Sequence, residues 1–121
     1  MVGLPAGLYR YLGREHALHA KSTRDLRAQM AAAAHGQRPV ERAPAIFLFS
    51  AVYERITAKY GRRGVRYVDM EAGHSAQNLC LQAVALDLKS VVIGAFQDEA
   101  IRQVAMLPAD EAPLYLVPVG R

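Results

Sequence analysis

The stretch VRYVDMEAGHSAQNLCLQAVAL, Val65 to Leu86, decides the fold of this protein. It contains no proline and only one glycine, Gly73, so it predicts one long helix. Apolar residues recur every three or four positions on two of its faces. One face carries Tyr67, Met70, His74, Leu81, Val84 and Leu88, and the other carries Val68, Ala72, Leu79, Ala83 and Leu86. Because a helix with two apolar faces is buried nearly all round, we expect it at the centre of the molecule.

The same helix carries four polar residues, Glu71, His74, Gln77 and Asn78, spaced three or four positions apart. This spacing favours a structural hydrogen-bonded network in a close-packed or oligomeric interface. Glu71 and His74 without a second histidine pair or a thiol cluster do not make a zinc site, so no metal is expected. Cys80, in a helix interior, is expected to be a small apolar residue rather than a nucleophile.

Elements before the long helix follow from alternation and from helix breakers. Residues 8–12 and 16–22 alternate apolar and polar side chains around a turn and predict a β-hairpin. Ser22 or Thr23 is expected to cap a helix that runs through residues 24–35 and stops at Gly36. Residues 36–44 are predicted to be a loop, because Pro39 and Pro44 disfavour helix and sheet.

The remaining apolar runs predict strands. Residues 45–52 and 89–96 are short and rich in β-formers, which favours strands buried on both faces, the second ending at Gly94. Asp98 and Glu99 open a further helix, since carboxylates suit its N-terminus. Residues 112–121 are predicted to form a last strand, and Pro118 is expected to place its end at a sheet edge or where the chain leaves the sheet. The fold class is therefore α+β, with a mixed sheet packed by helices around the long helix.

Length and composition point to one globular domain, residues 1–121, since a chain of 121 residues supports a single core. A single cysteine excludes an intrachain disulfide, and no run is long or apolar enough for a signal peptide or a membrane span. We therefore expect a cytoplasmic protein with no membrane partner. The net charge of +4 invites a nucleic-acid interpretation. The basic residues are mostly spread beside carboxylates and no recognition motif accompanies them, so no nucleic-acid partner is predicted.

Two short segments are candidates for chemistry. Lys59 and Tyr60 lie in a loop-like segment between a strand and the long helix, where an amine beside a phenol can act as general base and acid if the lysine pKa is lowered. The alternative is a surface lysine and a tyrosine that covers the edge of the core. Gly94 suits a close backbone approach to a ligand, and the alternative is an ordinary turn.

Taken together, GLYRYLGREHAL, residues 58–101 and APLYLVPVGR resemble the C-terminal part of a nitroreductase-superfamily domain. The resemblance is strongest to the SagB-type dehydrogenases, which oxidise azolines in modified peptides to azoles. It implies an intimate homodimer with FMN in a cleft built by both subunits. The backbone of Gly94 and Ala95 would lie beside the flavin N5, Lys59 and Tyr60 would remove a proton from the azoline, and Arg121 would lie on the cofactor side.

This chain also departs from the family pattern. It begins in what resembles the middle of the domain and lacks the upstream arginine-rich motif for the FMN phosphate. Two functions follow as expectations. One is an FMN-dependent oxidoreductase acting on azoline-type or related small substrates, as a dimer or with a complementing chain. The other is a non-catalytic, flavin-free truncated domain that oligomerises or binds a partner.

Overall fold

A computed structural model describes residues 3–121 as an α+β fold, which confirms the expected class. Its elements in chain order are β1 (Leu8–Leu12), β2 (Ala17–Ser22), α1 (Arg27–Ala33), α2 (Arg38–Arg42), β3 (Ala45–Ala51), α3 (Glu54–Tyr60), α4 (Arg63–Ala85), β4 (Lys89–Ser90), α5 (Asp98–Val104) and β5 (Ala112–Gly120). The strands form an antiparallel hairpin, β1–β2, and a three-stranded antiparallel sheet in the order β3–β5–β4.

Strand β5 divides the core into two layers because its side chains alternate between the faces of the sheet. Leu116 points to the face covered by α1, α2 and α5, where Val40 and Ile101 are also fully buried. Val117 and Val119 point to the opposite face and pack against Ala83 of α4. The sheet is therefore sandwiched between the short helices and the long helix.

The predicted strand over residues 89–96 is mostly wrong, since only Lys89–Ser90 is regular strand and Ile93 forms an isolated bridge with Leu116. Pro118 explains the interruption. Its carbonyl accepts a hydrogen bond from the Val91 N–H at 3.4 Å, but proline has no N–H to return one. The sheet-edge alternative for Pro118 is also wrong, because β5 is the central strand and Pro118 is buried there, two residues before the strand ends at Gly120.

Two expectations for the segment before β3 are also corrected. Helix α1 begins at Arg27 with Leu26 at the N-cap, so neither Ser22 nor Thr23 caps it. Ser22 instead accepts a hydrogen bond from the Arg24 N–H at 3.2 Å within a turn. Residues 38–42, predicted as loop, form α2 with a proline in its first turn, where a missing N–H costs nothing.

The expectation that strand β3 is buried on both faces is wrong for Phe47, which is 48% exposed. The reason is topological, since β3 lies at the edge of the sheet rather than in its centre.

Helix α4 confirms the predicted long helix, but the expectation that it is buried nearly all round is wrong for the described chain. Ala83, from one predicted face, is buried against the sheet, whereas Met70, Leu81 and Val84, from the other predicted face, are exposed. Glu71, His74, Gln77 and Asn78 are exposed and form no hydrogen bond with one another among residues 3–121. No helix in this part of the chain is long and apolar enough to cross a membrane.

A buried carboxylate attaches the β1–β2 hairpin to the sheet. The guanidinium of Arg10 donates hydrogen bonds to both carboxylate oxygens of Glu111, at 3.1 and 3.0 Å, and the hydroxyl of Ser50 donates a third. Burial raises the pKa of Glu111, but the hydrogen bonds from Arg10 and Ser50 and the charges of Arg10 and Arg55 outweigh it. The pKa of Glu111 is therefore lowered, and the carboxylate stays charged at neutral pH.

Candidate functional site

Lys59 and Tyr60 lie in the last turn of α3, not in a loop as expected from the sequence. The Nζ atom of Lys59 lies 5.1 Å from the centre of the Tyr60 ring, within the range of a cation–π contact. Both side chains are exposed, so the burial that the sequence argument required of Lys59 is absent in the described chain. The pair is adjacent and accessible to a ligand or to a second chain.

The side chains of Arg63 and Tyr67, both on α4, lie close to Lys59 and Tyr60. The rings of Tyr60 and Tyr67 meet edge to face, with centres 5.4 Å apart and planes at 88°. The Nε of Arg63 donates a hydrogen bond of 3.3 Å to the Tyr67 hydroxyl. Tyr60 therefore lies between the Lys59 amine and the Tyr67–Arg63 pair, which together present exposed aromatic and positively charged groups.

The angle between α3 and α4 is set by two glycines and one hydrogen bond. Gly61 adopts φ 61° and ψ −149°, a conformation that favours glycine, and separates the two helices. A Cβ at Gly64 would lie 3.0 Å from backbone atoms of Thr57, so any other residue would force α3 to shift by a few tenths of an ångström. The Tyr53 hydroxyl donates to the Asp69 carboxylate, and burial together with this bond raises the pKa of Tyr53 to about 12. The contact holds the start of α3 against α4.

Gly94 and Ala95 form an exposed turn after β4, on a different part of the molecule. The Ala95 carbonyl accepts a hydrogen bond of 2.9 Å from the Gln37 side chain, and the Gln97 N–H donates to the Ala33 carbonyl at 2.9 Å. The backbone N–H groups of Gly94 and Ala95 have no partner among residues 3–121. Two exposed, unpaired donors on a fixed turn are available to a ligand that carries hydrogen-bond acceptors.

Gly94 itself is not required by packing within this chain. A Cβ there would meet only the Tyr115 ring, at 3.8 Å, which is an ordinary contact. Tyr115 also lines a small groove of about 160 Å³, together with Asp69, Ala72 and Leu114. If Gly94 is needed, the need comes from a ligand or another chain.

Arg121 lies at the opposite end of β5, in an open groove of about 260 Å³. The groove is formed by α2 and the residues that follow it, by β4 and by the end of β5. Its lining residues are Pro39, Arg42, Ala43, Pro44, Lys89, Ser90, Val91, Pro118, Val119, Gly120 and Arg121. The sequence singles out Arg121 but not Arg42 or Lys89, because nothing in their local sequence marks them and only the fold brings them together.

The described chain does not gather all predicted site residues into one cleft. Helix α3, which carries Lys59 and Tyr60, packs chiefly on α4. The Gly94–Ala95 turn is held by α1, by Gln37 and by β5. Neither groove is lined by Lys59, Tyr60, Gly94 or Ala95. Within residues 3–121, no group of three or more His, Cys, Asp or Glu side chains is arranged to hold a metal ion.

Comparison with known proteins identifies the class of domain to which this arrangement belongs. Residues 4–121 match the model of the nitroreductase family, so the fold is that of an oxidoreductase-type domain. This chain belongs to the nitroreductase family.

A relative from Methanocaldococcus jannaschii, provisionally assigned as a nitroreductase, is 42% identical over 121 residues. The alignment covers 100% of this chain and 60% of that protein. This chain thus spans less than two thirds of the relative's length.

Two solved structures show the same fold. A provisionally assigned nitroreductase from Anabaena variabilis is 33% identical with a TM-score of 0.93, over 99% of this chain and 25% of that one. A chain of the E. coli microcin synthetase McbBCD complex, with truncated pro-MccB17 bound, is 26% identical with a TM-score of 0.82. That alignment covers 93% of this chain and 43% of the synthetase chain.

Proposed function

We propose that this chain is part of an FMN-dependent oxidoreductase of the SagB-type branch, which oxidises azoline-type or related small substrates, free or within a modified peptide. Membership in the nitroreductase family and the fold shared with a microcin synthetase chain support the branch assignment. Under this proposal the protein acts in the cytoplasm, which suits a chain with a single cysteine.

The observation that carries the proposal is the Gly94–Ala95 turn, where two exposed backbone N–H groups lack partners within residues 3–121. FMN supplies the acceptor for the hydride that leaves an azoline ring on its oxidation to an azole. The N–H groups of the turn are placed to donate hydrogen bonds to acceptor atoms of a planar ring, and the small side chains leave space for it. The turn would thus bind and orient the cofactor.

Lys59 and Tyr60 are the proposed proton-handling pair. Loss of hydride from an azoline ring must be accompanied by loss of a proton, and we propose that the amine of Lys59 takes it when a second chain buries this part of the surface. Tyr60 fixes the position of the amine through the contact at 5.1 Å and through its own edge-to-face contact with Tyr67. In this role Tyr60 positions the base, while Lys59 contacts the substrate.

A second polypeptide is part of the proposal, because the turn and the pair lie on separate parts of one chain. The exposed face of α4, with Met70, Leu81 and Val84, is the surface on which we place it. Either a second copy or a complementing chain would bring Lys59 of one subunit toward the turn of the other. Burying such an apolar face stabilises association by roughly 25 cal/mol per Å².

The proposal is tested by adding FMN to the purified protein and recording its visible absorption after gel filtration. We expect a yellow protein with a perturbed flavin spectrum. Lys59→Ala should retain the flavin and lose azoline oxidation, whereas Lys21→Ala, in the hairpin, should change neither. A colourless protein whose unfolding temperature does not respond to FMN would contradict the flavin assignment, and unchanged turnover in Lys59→Ala would remove Lys59 from the mechanism.

Gly94 provides an independent test of the turn. Gly94→Val should leave the fold intact, since the site is open and the nearest side chain would lie 3.8 Å from an added Cβ. The valine methyl groups would obstruct a ring lying against the backbone, so FMN affinity should fall. Equal FMN affinity in the wild type and in Gly94→Val, measured by fluorescence quenching, would mean that the flavin does not bind at this turn.

The alternative is a flavin-free module that binds a partner through the exposed face of α4. This face favours it because it remains apolar and uncovered in the described chain. A stable, colourless oligomer by light scattering, with no response to FMN, would be the result expected of this second function.

A further inference from the structure

We propose that Gln37 is a positioning residue that fixes the direction of the Ala95 N–H, the unpaired donor of the Gly94–Ala95 turn. The side-chain nitrogen of Gln37, Nε2, donates hydrogen bonds to the Ala95 carbonyl at 2.9 Å and to the Ala34 carbonyl at 2.8 Å. Gln37 and Ala95 are 58 residues apart in the sequence, so only the fold brings them together. This inference rests on the proposed function, in which the turn binds the flavin.

The side-chain amide of Gln37 has one orientation in this contact. Both of its partners are carbonyl oxygens, so only Nε2 can face them, and both N–H bonds of Nε2 are used. The opposite orientation would place Oε1 against two oxygens. Because Ala34 is the C-cap residue of α1, the amide links the end of that helix to the turn and holds the Ala95 carbonyl in a defined direction.

The backbone that carries this side chain is also fixed. Gly36 precedes Gln37 and adopts φ 66°, in the left-handed region that favours glycine. The Gln37 N–H donates to the Ala34 carbonyl at 3.3 Å, and the Gln37 carbonyl accepts from the N–H groups of Val40 at 3.0 Å and Glu41 at 3.3 Å. The support for the turn is therefore formed before any ligand binds.

The peptide group that contains the Ala95 N–H lies between two anchored peptide groups. On one side, Ile93 exchanges hydrogen bonds with Leu116 at 2.8 and 2.9 Å, which fixes the plane that carries the Gly94 N–H. On the other side, within residues 3–121, the Ala95 carbonyl is held by Gln37 alone. The Gly94 carbonyl and the Ala95 N–H have no partner in the same part of the chain. Gln37 is therefore the second of the two anchors.

The two anchors limit how this peptide group can move. With both neighbouring planes held, it can reverse only by opposite rotations about Gly94 ψ and Ala95 φ. A reversal would bring Ala95 to a positive φ, which its Cβ disfavours. Without the Gln37 contact the following peptide group can turn as well, and the Ala95 N–H can point in many directions. Because a donor that is already fixed loses less entropy on binding, Gln37 should raise ligand affinity without contacting the ligand.

The first test measures backbone motion in the flavin-free protein by ¹⁵N relaxation. Gln37→Met removes both side-chain donors without adding charge, and Gln37→Glu removes them at neutral pH while keeping the shape. In both variants we expect the order parameter of the Ala95 N–H to fall from about 0.85 to below about 0.6, or slower exchange to appear in relaxation dispersion. The Gly94 N–H, which is held through Ile93, should keep its wild-type order.

The second test measures FMN affinity by fluorescence quenching. Both Gln37 variants should bind FMN about three- to tenfold more weakly, the effect of impairing one hydrogen bond. Gln103→Met is the matched control, because Gln103 is exposed on α5 and its side chain forms no hydrogen bond in the described chain. It should change neither FMN affinity nor the motion of Ala95.

The outcomes separate the role of Gln37 from the flavin assignment. If Ala95 loses order in both variants but even the wild type binds no FMN, the positioning role stands and the flavin function fails. If Ala95 stays ordered and FMN binds equally to the wild type and both variants, the flavin function stands and the role of Gln37 is overturned. Equal loss of order at Gly94, or loss of the folded state in both variants, would make Gln37 a general structural residue and also overturn the proposal.

Discussion

The two apolar faces of α4 have similar sequences and different environments. On the inner face, Ala83 is 4% exposed and packs against Val117 and Val119 of the sheet. On the outer face, Val84, the next residue along the chain, is 73% exposed. The contrast between these exposed fractions shows that the helical period of apolar residues identifies which faces favour burial. It does not identify which element, if any, covers each face.

The outer face has the composition and position of an association surface. Met70, Leu81 and Val84 lie on one side of the helix, and exposed apolar patches of this kind mark interaction sites on folded proteins. Substitutions on the two faces of α4, at its contact with α3 and at Glu111 on the sheet side should therefore have effects of very different size.

The largest effect is expected from placing a charge on the inner face. Ala83→Glu buries an unpaired carboxylate and should lower the free energy of unfolding by about 3–5 kcal/mol. Val84→Glu, one residue away, should change the free energy of unfolding of the monomer by at most about 0.5 kcal/mol. Urea unfolding at low protein concentration measures both, and similar losses in the two variants would mean that the outer face is covered within one chain.

Val84→Glu has a second readout. If the outer face joins two chains, the carboxylate should shift the protein toward monomer in sedimentation experiments. Gln82→Glu, exposed on another side of α4, is the control and should leave the mass unchanged. An unchanged mass in Val84→Glu would exclude this face as the interface.

The next largest effect is expected in the first turn of α4, where Gly64 packs on α3. Gly64→Ala would place a methyl group 3.0 Å from the Thr57 backbone, which cannot move without shifting α3. We expect a loss of about 1–3 kcal/mol in the free energy of unfolding, the range for overpacking. Thermal unfolding of the variant measures this, and a wild-type melting temperature would show that α3 moves freely.

On the sheet side of the molecule, the contribution of Glu111 to the free energy of unfolding depends on pH. Because the pKa of Glu111 is lower in the folded state than its ordinary value of 4.5, its contribution is fully present above pH 4.5. That contribution is lost as pH falls below 4.5 through the lowered folded-state pKa. Glu111→Gln should be about 1 kcal/mol less stable than wild type at neutral pH, since hydrogen bonds to charged groups are stronger than neutral ones.

The stability difference between Glu111→Gln and wild type should shrink as the pH falls. Urea unfolding at several pH values measures it. Glu15→Gln, in the exposed hairpin turn, is the control. A difference that stayed constant down to acid pH would mean that the ion pair with Arg10 does not stabilise the fold.

The smallest effect is expected at Gly73, where an added Cβ would meet nothing within 4 Å. Gly73→Ala should stabilise α4 by about 0.5–1 kcal/mol, because glycine in a helix loses more backbone entropy on folding. If a second chain approaches closely there, the same variant should weaken association, which sedimentation at high concentration would detect. A less stable monomer would contradict the open environment of Gly73.

Local signals predicted the hairpin and the long helix, because alternation and helical period are properties of neighbouring residues. They failed for α2 and β4. Residues 38–42 form a helix because Pro39 lies in its first turn, and β4 stops because Pro118 comes from another strand. The candidate site was predictable only in pieces. Lys59, Tyr60, Gly94 and Ala95 were identified, and their roles stay predictions, while Arg42 and Lys89 carried no local signal.

The sequence by itself determined that residues 65–86 are helical with two apolar faces and that the class is α+β. Only the tertiary structure decided which face of α4 meets the sheet, that β5 is the central strand, and that three distant cations line one groove. The two groups of properties differ because they depend on residues at different separations along the sequence. Helical period and turn chemistry depend on residues close in sequence, whereas burial and the convergence of charges depend on which distant elements pack together.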